Sequence, residues 1–221
     1  MPFSTTLAPT DLARYVARQM ATFFPDGDET AAVERVMKDA LGRLEHCFNH
    51  ARLKCFWSET GPRFNHLHTD QSAIFLYYLS NSAFKRGEMN VTAKAYALNK
   101  ALHALDAFYE VELPAIFTFV HPVGTVLGRA TYGDYLCVYQ NVTVGADPAN
   151  AHPVIGRSVI LYGGSRVIGT ALVGDNAVVS AGTTIMGGEV PAGHVAFGQH
   201  PNVSTKPTRW NARRDVFADP E

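Results

Sequence analysis

From Pro9 to about Glu110 the apolar residues return at the three- and four-residue intervals of helices that bury one stripe. Leu12, Val16, Met20 and Phe23 form one stripe; Ala32, Val33, Val36, Met37, Leu41, Leu44 and Phe48 form a second. Thr10 or Asp11 is placed to cap the first helix and Pro25 to stop it, while Asp26 to Glu29 offers acceptors and negative charge to the amides opening the next. Two more helices are predicted, over about Asp70 to Lys85 and about Thr92 to Phe108. Between the second and third, Leu53 to His68 follows no period and reads as an ordered loop carrying His66 and His68.

After Pro114 the pattern becomes a six-residue repeat. Val120, Val126, Tyr132, Val138 and Val144 fall six apart, and Ile155, Leu161, Val167, Val173, Val179 and Ile185 resume the spacing. Small or aliphatic residues follow four later, from Ala130 to Thr183. One inward residue in six suits a three-sided parallel coil with a short strand on each face, and these eleven units predict nearly four rungs. Five extra residues loop out within Gly145 to Val154, and insertions of that kind often sit on a solenoid's functional face.

Composition narrows the function classes. A net charge of −1 and a charged fraction of 18%, below the roughly 25% of ordinary soluble domains, leave no basic field for nucleic acid or an anionic membrane surface. No leader pattern or long uncharged apolar run occurs, so the expectation is a cytoplasmic protein. Cys47, Cys55 and Cys137 lack paired spacing and read as reduced thiols.

Three motifs carry a resemblance: His121-Pro-Val-Gly124-Thr-Val126-Leu-Gly128, Gln140-Asn-Val-Thr-Val-Gly145 and His152-Pro-Val-Ile-Gly156. Over about Val111 to Pro207 the chain resembles hexapeptide-repeat acyltransferases, and among them the serine acetyltransferases. The resemblance implies an α+β chain: an all-α helical domain over 1–110, a left-handed parallel β-helix over 111–198 and a tail over 199–221. It also implies acetyl-CoA as co-substrate, no metal, a small-molecule acceptor and a homotrimer, with a hexamer built as a dimer of trimers as a further arrangement.

Residue by residue, the resemblance makes His121 the general base that takes a proton from the acceptor hydroxyl. Imidazole suits the task because it titrates nearest neutral pH. Glu112 is the preferred orienting carboxylate, with Glu110 and Asp106 as alternatives. His152 is expected to contact the acceptor and the developing oxyanion, and Asp70 to bind the acceptor. Ala146, Gly163 and Ala181 match cofactor contacts at the coil edge, and Lys206 and Arg209 match basic side chains that meet CoA phosphates. His121 and His152 lie about one and a half rungs apart, which suggests a site shared between subunits.

Two places depart from the family pattern. An acidic residue and an arginine that grip the amino acid acceptor are replaced here by Val120 and Ala151. The loss of both charges leaves a sugar hydroxyl open beside L-serine, with Tyr109, Tyr132, Tyr135 and Tyr139 as candidate lining, and N-acetylation of an amino sugar as the alternative. A zinc hydratase built on His121, His152, His194 and His200 and a non-catalytic trimeric scaffold are the other classes considered.

Overall fold

The computed structural model describes residues 2–217. Four helices come first: α1 (Pro9–Phe23), α2 (Thr30–Asn49), α3 (Thr69–Lys85) and α4 (Met89–His103). Ala8 precedes α1 without a side-chain cap and Pro9 opens it, so Thr10 and Asp11 fall inside the first turn and the expected cap is not made. The Asp28 carboxylate does accept from the Thr30 amide at 2.9 Å and hydroxyl at 2.6 Å, just ahead of α2. The α3 helix is central: Ile74 to Ala83 is buried throughout, polar Ser80, Asn81 and Ser82 included.

Two expectations are corrected in this half. The fourth helix ends at His103 rather than near Phe108, because Ala104 turns to φ +50° and Asp106–Ala107 then pairs with Val126–Leu127 as a strand. The apolar stripe ran on because Leu105 and Ala107 are buried in the same core. Leu53 to His68 is also more than a loop: Trp57–Ser58 pairs antiparallel with Gly61–Phe64, and Ser4–Thr5 joins that strand in parallel. Strands of two to four residues are too short to show a period, and Phe56 and Phe64 anchor them on Phe48.

The rest is a three-sided parallel coil. One face stacks Phe117–Val120, Leu136–Tyr139, Ile160–Leu161, Val178–Val179 and His194–Gln199. The second stacks Asp106–Ala107, Val126–Leu127, Thr143–Gly145, Arg166–Ile168 and Thr184–Met186. The third stacks Thr131–Tyr132, Val154–Ile155, Leu172–Val173 and Glu189–Val190. Two faces therefore carry five strands, a longer coil than the repeat alone indicated.

Inside, registered columns form the core: Phe119, Val138, Leu161, Val179 and Ala196 on one face, and Ala107, Leu127, Val144, Val167 and Ile185 on the next. Full burial of an aliphatic side chain is worth about 1.5–3 kcal/mol, so these stacks hold a coil whose individual strands are too short to stand alone. The period fails in the first rung. Val126 is 40% exposed and Val120 half-buried, while Leu127 and Phe119 take the inward places. From Tyr132 onward every inward position that the repeat named is buried.

Where rungs approach most closely a side chain has no room. A Cβ on Gly156 would lie 2.8 Å from the Asp175 nitrogen and 3.0 Å from the Gly174 carbonyl carbon. The inserted loop is closed by Asp147, whose carboxylate accepts from the amides of Ala149 and Ala151 at 2.9 and 3.0 Å. The chain after the coil folds back on it: Asn202–Pro207 pairs antiparallel with His194–Gln199, and buried Phe217 bridges to Ala51. Among the described residues no helix is long and apolar enough to cross a membrane.

Candidate active site

The turn from the first face to the second begins at His121. This residue takes φ +51°, a left-handed conformation costly to a residue with a Cβ, and its environment fixes it there. Its amide donates to Asp70 Oδ2 at 3.2 Å, its carbonyl accepts from Val123 at 2.7 Å, and Gly124 donates to the Ala104 carbonyl at 3.0 Å. Its ring projects outward, with a side chain 80% exposed, and Nδ1 stands 3.9 Å from Asp70 Oδ2.

Asp70 reaches this corner from the first turn of α3, and its side chain is only 11% exposed. A buried carboxylate beside Nδ1 leaves Nε2 free to face a substrate. Between them opens a cavity of 140 Å³ lined by Thr69, Asp70, Leu102, His103, His121, Pro122 and Val123. His103 is buried, and desolvation lowers its pKa against the raising effect of the Asp70 charge.

The other carboxylates weighed for His121 are engaged elsewhere. Glu112 accepts from Lys85 Nζ at 2.9 Å and from Asn81 at 3.4 Å; burial pushes its pKa up, but those partners together hold it below the usual range. Asp106 accepts from the Tyr96 hydroxyl at 2.7 Å and from Lys100 at 2.6 Å, which outweigh its desolvation in the same way. Thus the carboxylate that the structure sets against His121 is Asp70, the residue expected to hold the acceptor.

His152 lies elsewhere on the coil. It closes the inserted loop between the second and third faces, one corner away from His121 and one rung further along. Its Nδ1 is buried without a hydrogen-bond partner. Gly163 and Ala181 fall on the His121 corner in later rungs, with Gly182 donating to the Gly163 carbonyl at 2.9 Å; exposed Ala146 falls on the His152 corner. Lys206 and Arg209 come together along a separate 720 Å³ groove with Tyr162, Ser180, Phe197 and Trp210, beside the first face.

None of the four tyrosines lines the cavity beside His121. Tyr132 is an inward core residue whose hydroxyl donates to the Gly128 carbonyl at 2.7 Å, and Tyr135 packs on Phe217. Tyr109 stacks on Phe108 and Tyr139 on Tyr162. His66 bonds Thr6 and packs on Tyr15, and His68 precedes α3 beside Phe56, so both belong to the hairpin region rather than the cavity. The thiols of Cys47 and Cys137 are pushed by burial to about 11 and about 12, so neither is a nucleophile at neutral pH. Sequence reasoning missed His103; its only signal was an Asn99–His103 pair four apart on one helix face.

No family model matches the chain. Serine acetyltransferase of Helicobacter pylori is 25% identical over 138 residues, which cover 61% of this chain and 80% of that protein. Serine acetyltransferase of Synechococcus elongatus is 33% identical over 70 residues, covering 30% of this chain and 29% of that protein. Among solved structures, Neisseria gonorrhoeae serine acetyltransferase in complex with serine superposes with a TM-score of 0.69 at 19% identity, covering 91% of this chain and 84% of that one. The Brucella abortus enzyme in complex with coenzyme A gives 0.69 at 13% identity, covering 93% and 84%.

A helical region leading into a parallel coil is thus the fold this chain shares with these solved acetyltransferases, a left-handed β-helix behind helices. In sequence as in fold, the chain is similar to serine acetyltransferases.

Proposed function

We propose that this protein is an acetyl-CoA-dependent O-acetyltransferase acting on a small hydroxyl acceptor of the serine type. The observation that carries the reading is His121, held on its corner by Asp70 at the mouth of a small cavity. In the reaction His121 Nε2 removes the acceptor's hydroxyl proton as the oxygen attacks the thioester carbonyl. The carbon–sulfur bond then breaks, and the imidazolium returns the proton to the CoA thiolate. Asp70 stabilises the charged ring, and no acyl-enzyme is needed.

The glycine-edged corner above His121, and the groove carrying Lys206 and Arg209, support a path for the pantetheine arm and phosphates of CoA. His121 and His152 occupy different corners of one coil, which supports a trimer in which one copy's corner faces another's. The free thiols suit a reducing, cytoplasmic setting. The test is release of CoA thiol from acetyl-CoA with L-serine: His121→Ala should lose at least a hundredfold in kcat, as expected for a removed general base. Retention of most activity by that variant would sink the proposal.

A further inference from the structure

Two residues that line the cavity beside His121 each carry an acceptor atom with no hydrogen bond to a described residue. Asn99 settles the first: its Nδ2 donates to the Ala73 carbonyl at 3.0 Å, so Oδ1 is the atom facing His103 Nδ1 at 2.8 Å. Nδ1 of His103 therefore carries the hydrogen, and the neutral ring, which lines the cavity, has Nε2 as its bare acceptor. Burial favours that neutral ring. The second atom is Asp70 Oδ1, because Oδ2 is the oxygen that accepts the His121 amide.

Thr69, Leu102, Pro122 and Val123 complete the wall, and no lysine or arginine lines it. Two acceptors, one of them anionic, with no cation beside them match a group that is all donors and positively charged, which is a primary ammonium. Size points the same way. A cavity of 140 Å³ is close to the roughly 150 Å³ that accommodates benzene, so it takes a group of a few heavy atoms.

We propose that His103 determines acceptor specificity: its bare Nε2, with Asp70 Oδ1, receives the ammonium of a 1,2-amino alcohol whose hydroxyl meets His121 at the cavity mouth. The assignment rests on the acetyl transfer proposed above and gives this chain an amine contact where Val120 supplies no charge. His103 does not touch the reacting oxygen; it reads the neighbouring substituent. No lysine or arginine among the lining residues pairs with the carboxylate of an amino acid acceptor.

Thiol release is measured with L-serine, 2-aminoethanol and 3-hydroxypropionate for the unsubstituted protein, His103→Leu and His103→Gln. The unsubstituted protein should prefer both amino alcohols to 3-hydroxypropionate in kcat/KM. His103→Leu should raise KM for the amino alcohols about tenfold, the effect of one lost hydrogen bond to a charged group, with kcat and 3-hydroxypropionate turnover little changed. His103→Gln, whose Oε1 can still accept, should fall between, and it carries the test if the leucine variant does not fold. Thermal stabilisation by acetyl-CoA reports folding of each variant. An equal loss on all three acceptors, or equal use of 3-hydroxypropionate by the unsubstituted protein, overturns the role of His103 and leaves acetyl transfer standing. No thiol release with any acceptor overturns both.

Discussion

Replacing Asp70 by asparagine removes one charge while keeping an oxygen that can accept the His121 amide, so the corner keeps its shape. In the proposed reaction, what kcat loses is the attraction between the carboxylate and the imidazolium formed as the acceptor proton is taken; the Oδ1 contact to an acceptor ammonium is read separately, in KM. At the observed 3.9 Å that attraction is about 1 kcal/mol in water and about 4 kcal/mol at an effective dielectric of about 20. The His121 side chain is 80% exposed in the free chain, which places the free protein near the lower figure. In the proposed reaction acetyl-CoA and acceptor would cover the ring and exclude water, moving the value toward the upper one.

The expected fall in kcat for Asp70→Asn is therefore between about fivefold and a thousandfold. It is read as initial rates of thiol release at saturating acetyl-CoA and acceptor. Glu112→Gln and Asp106→Asn are the controls: both carboxylates bond partners other than His121, and Glu112 sits in a pair with both side chains at least half exposed. An exposed pair of that kind is worth about 0–1 kcal/mol, so Glu112→Gln should keep kcat within about twofold. A kcat for Asp70→Asn within twofold of the original, or a larger loss from Glu112→Gln, refutes the assignment of the orienting carboxylate.

Gly156→Ala should destabilise the coil by about 1–3 kcal/mol, because the new Cβ meets backbone of the next rung; thermal melts should show a Tm lower by roughly 3–10 °C, and an unchanged Tm would mean the rungs separate freely. Lys206→Ala with Arg209→Ala should raise KM for acetyl-CoA severalfold without altering kcat, with the difference shrinking in high salt as exposed charges are screened. An unchanged KM at low salt would remove that groove from the CoA path.

The six-residue spacing was a reliable guide wherever the rungs are regular, because one inward side chain per strand is a local property of the chain. From Tyr132 to Ile185 each residue in phase is buried. It failed at Val126, where the first rung is tied to Asp106–Ala107 and to the end of α4, so that the neighbouring Leu127 turns inward. The helix stripe overran His103 for a related reason: Leu105 and Ala107 stay apolar as they pass from helix to strand, and period alone does not mark the change.

The sequence by itself determined the two-part organisation, the coil, the place of its inserted loop and the prominence of His121 and His152. Those features follow from spacing between neighbours along the chain. Only the tertiary structure decided which carboxylate stands by His121, since Glu112 is nine residues away in sequence yet pairs with Lys85, whereas Asp70 reaches the corner across 51 residues. The same is true of His103: only the fold sets its Nδ1 against Asn99 and its ring against the cavity. Charge pairing and hydrogen-bond direction act over a few ångströms of space, and separation along the chain does not encode them.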